Sequence, residues 1–363
     1  MKIALVILHA HPARGGAERY TVDLAAALSR RGHAVSLLAS SSAAPVAGVA
    51  NITIKAAGLT RAGRYRRFLT ELDAHLSAKP YDIVHAMLPV NRCDIYHPHA
   101  GIAAAADRRW NIHLNPRRRR MAAVERALLM GDRPPITIAL SEYVKRSIRQ
   151  HYPMPDERLM TLFNAVDLHR FVPVLHEGRD WISALIIAQD FERKGVIHAI
   201  DANEVLHEQP GDPKLRIAVV GRANINDWRH IADGFKGGEN VRFVGPVEDT
   251  RPFYADADFF VLPTKHDPCS LVVLEALAMG LPVISTVNNG ATQIMVDGVH
   301  GYVLKDPTDI DALADAMRTL LDPERRRAMS EACLALRPKL SYEHHLDELM
   351  KIYERAIARR KGH

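Results

Sequence analysis

The stretch KIALVILHAHPARGGAERYTVDLAAALSRRG, residues 2–32, indicates the type of fold. Its first seven residues are apolar apart from Lys2, as expected of a strand buried on both faces. After a Gly-Gly turn, five side chains recur at the spacing of one helix face: Tyr20, Leu24, Ala27, Leu28 and Arg31. Gly32 is a typical helix end. A strand, a tight turn and a helix in this order predict a doubly wound α/β domain.

Further apolar runs continue this pattern in two series. The first contains HAVSLLAS, YDIVHAML and ITIALS, and the second, after NAVDLHRF, contains WISALIIAQ, LRIAVVG, NVRFVG, DFFVLPT and LPVIST. We therefore expect two Rossmann-like domains, residues 1–172 and 173–340, followed by a C-terminal helix in 341–363. One face of that helix carries apolar side chains: Leu346, Leu349, Met350, Tyr353 and Ile357.

Composition narrows the class of protein. A chain of 363 residues with 47% hydrophobic residues fits two folded domains and is not disordered. The three cysteines, Cys93, Cys269 and Cys333, lie far apart, which indicates neither a disulfide framework nor a zinc site and fits a reducing cytoplasm. The opening MKIALVIL is too short for a signal peptide or a membrane span, and we interpret it as a strand.

Two carboxylates stand out in the apolar stretch HDPCSLVVLEALAMGLPVIST, residues 266–286. Asp267 precedes a predicted helix and Glu275 lies about two turns along it. In open α/β sheets ligands bind beyond the carboxyl ends of strands, so both acids are candidates for contacts with a polar ligand. The alternative is that Asp267 caps the helix and Glu275 is an ordinary helical glutamate.

Six motifs in order resemble family 4 retaining glycosyltransferases: GGAERY, NAVDLHRF, RKG, ADFFVLP, DPCSLVVLEALAMGLPVI and DGVHGYV. The resemblance covers nearly the whole chain. It implies the GT-B fold, with two Rossmann-like domains facing a cleft and a C-terminal helix that packs back on the first domain. The acceptor-binding domain comes first and the nucleotide-sugar donor domain second.

The same resemblance assigns roles in the donor site. It implies that Asp267 binds sugar hydroxyls, Glu275 binds the ribose, and Arg193 with Lys194 holds the diphosphate. The family usually has Glu where this chain has Asp267. The residues expected to contact the donor are Gly15, Gly16, Arg193, Lys194, Asp267, Pro268, Cys269, Ser270, Leu271 and Glu275. Catalysis would be front-face displacement, in which the leaving diphosphate helps to deprotonate the attacking hydroxyl.

Two further pairs of polar residues could belong to the site. The role of one pair stays open, and we interpret the other pair as structural. DIYHPHAG places His97 and His99 after a first-domain strand, where the family often has a polar residue close to the sugar. The spacing does not choose between them; we favour His99 as the catalytic one. Asp256 and Asp258 form an Asp-x-Asp pattern like a metal site, but the second opens a strand, so we expect no metal and no cofactor beyond the donor substrate.

An arginine-rich segment stands out in the charge pattern. The formal net charge is +6, yet residues 101–150 alone hold eleven Lys or Arg against four Asp or Glu. Within NPRRRRMAAVERALLM, Arg117, Arg118, Arg119 and Arg120 precede apolar side chains at roughly helical spacing, which predicts a basic amphipathic helix that binds an anionic membrane surface. The alternative is a solvated surface helix.

The sequence therefore predicts a metal-independent hexosyltransferase that transfers glucose from a UDP-sugar to a glycan or glycolipid. DIYHPHAG, the arginine-rich region and FERKGVIHAIDA most resemble the lipopolysaccharide core glucosyltransferase I type, which implies a cytoplasmic enzyme, peripheral on the inner membrane face. One alternative is a GT-B nucleotide-sugar epimerase. A nucleic-acid-binding protein is a second, but no aromatic-rich basic surface accompanies the arginines, so we expect no nucleic-acid partner.

Overall fold

The computed structural model describes residues 1–99, 101–105, 115–174, 179–208 and 214–361. The chain forms two compact units. Unit 1 comprises Met1–Phe163 and the chain from Tyr342 onward, and unit 2 comprises Asn164–Ser341. None of the described helices is long and apolar enough to cross a membrane.

Unit 1 is built on a parallel sheet. Its strands in chain order are β1 (Lys2–Val6), β2 (His9–Ala10), β3 (Ala34–Ala39), β4 (Ser41–Ser42), β5 (Ala50–Thr53), β6 (Ile83–Ala86), β7 (Ile95–Tyr96), β8 (Ile136–Ala139) and β9 (Leu159–Thr161). The main sheet has the order β5-β3-β1-β6-β7-β8-β9, while β2 pairs separately with β4. The order reverses beside β1, as in a doubly wound fold.

The helices of unit 1 are α1 (Gly16–Arg30), α2 (Arg61–Ala78), α3 (Pro116–Met130) and α4 (Glu142–His151). Four of the five predicted α1 positions are buried, namely Tyr20, Leu24, Ala27 and Leu28. Arg31 is the exception, since it follows the helix, is exposed and forms an ion pair with Asp347. Gly32 has a φ of 84°, a left-handed conformation that suits glycine at a helix end.

Helix α3 is anchored by a buried carboxylate that the sequence analysis did not single out. Glu125 accepts hydrogen bonds from the hydroxyls of Tyr96 (2.5 Å) and Tyr152 (3.0 Å) and from the backbone N–H groups of Ala103 and Ala104. Burial raises the pKa of Glu125, which these hydrogen bonds oppose. The apolar side of α3 also packs inward, because Met121 and Val124 contact the core and Leu128 and Leu129 are buried.

Unit 2 contains a second parallel sheet. Its strands are β10 (Ile182–Ala188), β11 (Leu215–Gly221), β12 (Val241–Gly245), β13 (Phe259–Leu262), β14 (Val283–Thr286) and β15 (Gly301–Leu304), in the spatial order β12-β11-β10-β13-β14-β15. Its helices are α5 (Val196–His207), α6 (Ile225–Ala232), α7 (Arg251–Ala255), α8 (Leu271–Ala278), α9 (Ile310–Thr319), α10 (Pro323–Ala335) and α11 (Arg337–Leu340). The two sheets confirm the predicted pair of Rossmann-like domains.

The division between the units differs from the predicted boundary at residue 172. The segment after Asn164 belongs to unit 2, where Val166 pairs with Ser341 and Arg337 donates hydrogen bonds to the carbonyls of Leu168 (3.4 Å) and Phe171 (3.0 Å). These backbone contacts connect residues far apart in sequence, so local pattern does not predict them.

The C-terminal helix, α12 (Tyr342–Lys361), belongs to unit 1, as predicted. Leu346, Leu349 and Tyr353 are buried on the expected face. Met350 and Ile357 were also expected there but are only partly buried, because the contact face is rotated toward Ile352 and Ala356.

Candidate active site

The acidic motif begins as a loop that connects β13 to α8. This loop is held by the segment after β14: the Asp267 N–H donates to the Asn288 carbonyl and the Gly290 N–H to the Asp267 carbonyl, both at 2.9 Å. The Asn289 side chain accepts from the Ser270 N–H at 3.3 Å. Backbone contacts on both sides therefore fix the loop at the carboxyl ends of two neighbouring strands.

Asp267 forms a buried ion pair with Lys194. The Nζ of Lys194 donates to the carboxylate of Asp267, and the two residues are only 9% and 7% exposed. Lys194 comes from the loop before α5, so the pair joins the RKG motif to the acidic motif. Asp267 does not cap α8, since the cap position is Ser270 and carries no side-chain capping bond.

Arg193 is positioned by both loops. Its Nε donates to Asp190 at 3.0 Å, and one terminal nitrogen donates to the His266 carbonyl at 2.7 Å. Its side chain is 40% exposed. Arg193 therefore places a guanidinium group next to the acidic loop while keeping part of it open to solvent.

The glycine of the RKG motif has a steric role. Gly195 has a φ of 73°, and a Cβ atom there would lie 2.2 Å from the Pro263 carbonyl oxygen. Only glycine combines this left-handed turn with so close an approach to β13. This turn fixes the backbone conformation next to Lys194, whose side chain binds Asp267.

Glu275 is held by a tyrosine that the sequence analysis missed. The hydroxyl of Tyr254, on α7, donates to Glu275 at 2.8 Å. Burial, and then the neighbouring Glu275, raise the pKa of Tyr254 well above its usual value, so this phenol stays protonated as a donor. Glu275 itself is half-buried, so its carboxylate is not sealed in the core.

The remaining predicted donor residues form the start of α8. Pro268 and Leu271 are half-buried, while Cys269 and Ser270 are buried. Burial raises the pKa of Cys269 to about 12, which keeps it a neutral thiol. The first N–H groups of α8 lack helical partners, and such groups attract anionic or hydroxyl oxygens.

Asp256 and Asp258 are bound by an arginine. Arg179 donates to Asp256 at 2.6 Å and to Asp258 at 3.2 Å, and Asp258 also accepts from the Ser183 N–H at 2.8 Å. These contacts fix the start of β13. Within the described residues no group of three or more His, Cys, Asp or Glu could hold a metal ion.

Two predicted donor residues, Gly15 and Gly16, and the predicted catalytic His99 belong to unit 1, whereas the other predicted donor residues belong to unit 2. Gly16 opens α1, and Gly15 precedes it in extended backbone with φ 168°. Both glycines follow the 3-10 turn Pro12–Arg14 and lie at the N-terminus of α1, where backbone N–H groups attract anions.

His99 and His97 lie in a buried cluster of aromatic rings. The His99 ring centroid is 4.1 Å from that of Tyr20 and 4.2 Å from that of His97. Four histidines are buried among the described residues of unit 1, and we call them the histidine cluster: His85, His97, His99 and His345. Tyrosines of α1 and α12 contact it: Tyr20 and Tyr353 form hydrogen bonds with its members, and the ring of Tyr342 lies against that of His345.

Hydrogen bonds define part of the protonation pattern of the histidine cluster. The Phe163 carbonyl can only accept, so Nδ1 of His345 donates to it (2.8 Å) and Nε2 accepts from the Tyr20 hydroxyl (2.8 Å). Nδ1 of His85 bonds the Tyr353 hydroxyl (2.7 Å), and its Nε2 bonds Nδ1 of His97 (3.2 Å). The Nε2 atoms of His97 and His99 are buried without a partner among the described residues.

Burial lowers every pKa in the histidine cluster. It lowers the pKa of His85 to about 3 and of His345 to about 4, and those of His97 and His99 well below the usual value. Neighbouring histidines lower these values further. All four rings are therefore neutral at pH 7, which suits hydrogen bonding more than electrostatic binding of phosphate.

Two family models match the chain: Glycosyl transferases group 1 over residues 183–323 and Glycosyltransferase Family 4 over residues 14–170. Together they span most of unit 2 and unit 1. The chain belongs to the family 4 glycosyltransferases, and it is an enzyme of the glycosyltransferase class.

Named relatives and solved structures agree with this family. The chain is 25% identical to the lipopolysaccharide glucosyltransferase WaaG of Escherichia coli K12, covering 85% of this chain and 86% of that protein. It is 26% identical to the D-inositol 3-phosphate glycosyltransferase of Nocardiopsis dassonvillei, covering 99% and 95%. The crystal structure of WaaG matches at TM-score 0.77 and 23% identity, covering 93% and 95%. The fold is therefore GT-B.

A structure with bound donor fragments also matches. HepE of Anabaena, solved with UDP and glucose, aligns at TM-score 0.70 and 17% identity, covering 97% of this chain and 98% of that one. At this identity the match shows the fold alone.

Proposed function

We propose that this protein transfers glucose from UDP-glucose to a hydroxyl of a glycan or glycolipid, with retention of configuration, and that the acceptor belongs to the lipopolysaccharide core. The observation that carries the donor assignment is the Lys194–Asp267 pair, which joins two donor motifs 73 residues apart. The names of the relatives, a lipopolysaccharide glucosyltransferase among them, support the acceptor class.

In this proposal each side chain of the donor site has one task. Asp267 accepts hydrogen bonds from sugar hydroxyls and Glu275 from the ribose diol, since a carboxylate accepts two such bonds and its charge strengthens them. Arg193 and Lys194 stabilise the diphosphate as negative charge develops on it.

The groups of unit 1 complete this assignment. The amides of Gly15 and Gly16 contact the diphosphate, and His99 lies near the reacting hydroxyl. The leaving phosphate oxygen takes the proton of that hydroxyl as the new glycosidic bond forms on the same face of the sugar.

A donor screen tests the proposal. Nucleotide sugars that bind the donor site should raise the melting temperature, UDP-glucose most of all, because a ligand that binds only the folded state stabilises it. Labelled UDP-glucose is then incubated with and without a lipid extract. Label transferred to the extract supports the proposal; an altered free sugar nucleotide without acceptor would instead indicate the epimerase.

Chelation tests metal independence. We expect full transfer activity in EDTA, because Arg193 and Lys194 supply the positive charge that a metal ion would otherwise bring to the diphosphate. The measurement is the initial rate after dialysis against EDTA. A rate that falls and returns on addition of Mg²⁺ or Mn²⁺ would contradict the expectation.

Membrane binding is the proposed route to a lipid-linked acceptor at the inner membrane face. The apolar side of α3 packs into unit 1, so only its arginines are free for an anionic surface, and insertion of the apolar side is excluded. Arg118, Arg119 and Arg120 are exposed, whereas Arg117 is half-buried. Each exposed arginine near an anionic leaflet contributes about 1 kcal/mol.

We therefore expect binding to anionic vesicles but not to neutral ones, weakening as salt rises. Replacement of Arg117 to Arg120 by serine should abolish it while UDP-glucose affinity stays unchanged. Co-sedimentation with vesicles measures the first quantity and calorimetry the second. Equal binding to both vesicle types would refute the membrane proposal.

A further inference from the structure

The ring of His99 is oriented by contact with two other rings. Its centroid lies 4.1 Å from that of Tyr20, at an interplanar angle of 38°, and 4.2 Å from that of His97, at 45°. The Nε2 atom of His99 is buried and has no hydrogen-bond partner among the described residues. The side chains that fix Tyr20 and His97 therefore also fix the ring of His99.

Tyr20 is held by the C-terminal helix α12. Its hydroxyl donates to Nε2 of His345 at 2.8 Å, and Nδ1 of His345 donates to the Phe163 carbonyl at 2.8 Å. The rings of Tyr20 and His345 also meet edge to face, with their centroids 5.5 Å apart. The far end of the Tyr20 side chain is thus bonded to a histidine that is itself bonded to the backbone.

His97 is held by a second chain of hydrogen bonds, which ends on the same helix. Nδ1 of His97 bonds Nε2 of His85 at 3.2 Å, and Nδ1 of His85 bonds the Tyr353 hydroxyl at 2.7 Å. Burial lowers the pKa of His85 to about 3, so the ring is neutral at pH 7. A neutral imidazole has one donor and one acceptor nitrogen, so His85 can bond both neighbours at once.

Both chains of hydrogen bonds lie inside unit 1. Five of their side chains are at most 3% exposed: Tyr20, His85, His97, His345 and Tyr353. An apolar core needs none of these polar atoms, since leucine and phenylalanine at positions 345 and 353 would fill the space without groups that require partners. A buried hydrogen bond does, however, fix the direction of the side chains that share it, because neither partner can bond water instead.

The location of the supported ring is suited to a ligand. His97 and His99 directly follow β7, at the carboxyl end of a parallel strand, and Tyr20 lies about one turn into α1 after Gly16. Ligands of doubly wound folds bind beyond this edge of the sheet. His99 is also the more exposed of the two histidines in this loop, at 8% against 0% for His97.

We propose that His345 and Tyr353 of α12 are positioning residues for His99, and that they act through Tyr20 and His97. The proposal rests on the proposed function, in which His99 lies near the reacting hydroxyl. Because the supporting bonds are made by the neighbouring rings, His99 keeps its orientation while its Nε2 atom is left for the substrate. Orientation matters for turnover, since a displacement of about 1 Å at a reacting centre can lower the rate about 100-fold.

Removal of the two hydroxyls tests the proposal without changing the size of a ring. Tyr20→Phe and Tyr353→Phe should each lower kcat for glucosyl transfer about tenfold and leave KM for UDP-glucose unchanged. His345→Leu should act as Tyr20→Phe does. His345→Gln should retain most activity, because its amide can still donate to Phe163 and accept from Tyr20. Unchanged kcat in both tyrosine variants would overturn the proposal.

A matched control lies elsewhere in unit 1. The hydroxyl of Tyr81 bonds Nε2 of His75 at 3.0 Å, outside the histidine cluster. Tyr81→Phe therefore removes the same kind of hydrogen bond and should leave kcat unchanged. An equal loss of kcat in this control would contradict the proposal, and circular dichroism checks that each variant is folded.

A double-mutant cycle shows whether the effect passes through His99. Tyr353→Phe should lower kcat in the wild-type chain but no further in a His99→Ala background, because residues that act through one another are not additive. The same fractional loss in both backgrounds would show a structural effect independent of His99, and the proposal would be wrong. It would also be wrong if His99→Ala had wild-type kcat.

NMR gives a measurement that does not depend on transfer. With labelled histidine in the full chain, the imidazole signals of His99 are assigned from the spectrum of His99→Ala. They should shift or broaden in Tyr20→Phe and Tyr353→Phe and stay unchanged in Tyr81→Phe. Unchanged His99 signals in both cluster variants would refute the positioning. If the wild-type chain transfers no glucose, the proposed function fails, and these signals alone then decide whether α12 orients His99.

Discussion

Replacing Glu275 or Lys194 with alanine is expected to lower kcat/KM for glucosyl transfer by about 100-fold or more, because each change leaves charged or hydroxyl groups of the donor without a partner. Glu275→Ala is the cleaner change, since its carboxylate is half-buried and bonded to Tyr254 at 2.8 Å. Lys194→Ala also leaves the buried Asp267 charge unpaired, which costs about 3–5 kcal/mol of stability. Steady-state kinetics and urea unfolding separate the two effects.

Matched variants sharpen this test. Tyr254→Phe removes one hydrogen bond to Glu275 but keeps the carboxylate, and it should retain most activity. Lys236→Ala removes an exposed lysine from unit 2 and should change nothing. Near-wild-type kinetics in Glu275→Ala would show that the donor site lies elsewhere.

As the pH is lowered, unit 1 is expected to unfold before the pH reaches 5, because the histidine cluster cannot take up protons in the folded state. An unfolded histidine is protonated near pH 6.5, whereas the folded pKa is about 3 for His85 and about 4 for His345. The unfolded chain therefore binds more protons below pH 6.5, and stability that is complete above that pH is lost as pH falls. At pH 5.5 a histidine with a folded pKa of about 3 or 4 costs about 1.4 kcal/mol of stability, so His85 and His345 together cost about 3 kcal/mol.

Urea unfolding at pH 8, 6.5 and 5.5, with hydrogen exchange of α12 as the local probe, measures this loss. His345→Gln removes one buried titrating group and should reduce the slope of stability against pH by about one proton. His151→Gln changes an exposed histidine of the same unit and should leave the slope unchanged. A wild-type stability that is flat between pH 8 and 5.5 would contradict the expectation.

The fold could be predicted from sequence because its signal is local. Strands buried on both faces are continuous apolar runs, and IALV of β1 and FFVL of β13 show this directly. Helix periodicity located α12 but not its exact contact face, since Met350 and Ile352 fit an amphipathic helix equally well and packing decides between them. The unit boundary depends on Arg337, which contacts backbone far away in sequence.

Individual residues of the candidate site could be predicted where they lie in a sequence motif. Contacts between residues that are far apart in the sequence could not be predicted. Lys194 and Asp267 were each predicted, but their ion pair spans 73 residues and no local pattern reveals it. Tyr254 carried no motif, although its hydroxyl holds Glu275. Gly195 could have been found from its motif, since a glycine after Arg-Lys at a helix start indicates a left-handed turn.

The return of α12 to unit 1 sets an order for folding during synthesis. When the ribosome has completed Ser341, every residue of unit 2 has been made, while unit 1 still lacks the 20 residues of α12. Until then the hydroxyl of Tyr20 and the ring of His85 have no partners from α12. The unit that is translated first is therefore the last to be completed, and a nascent chain stalled at Ser341 carries a complete unit 2 and an incomplete unit 1.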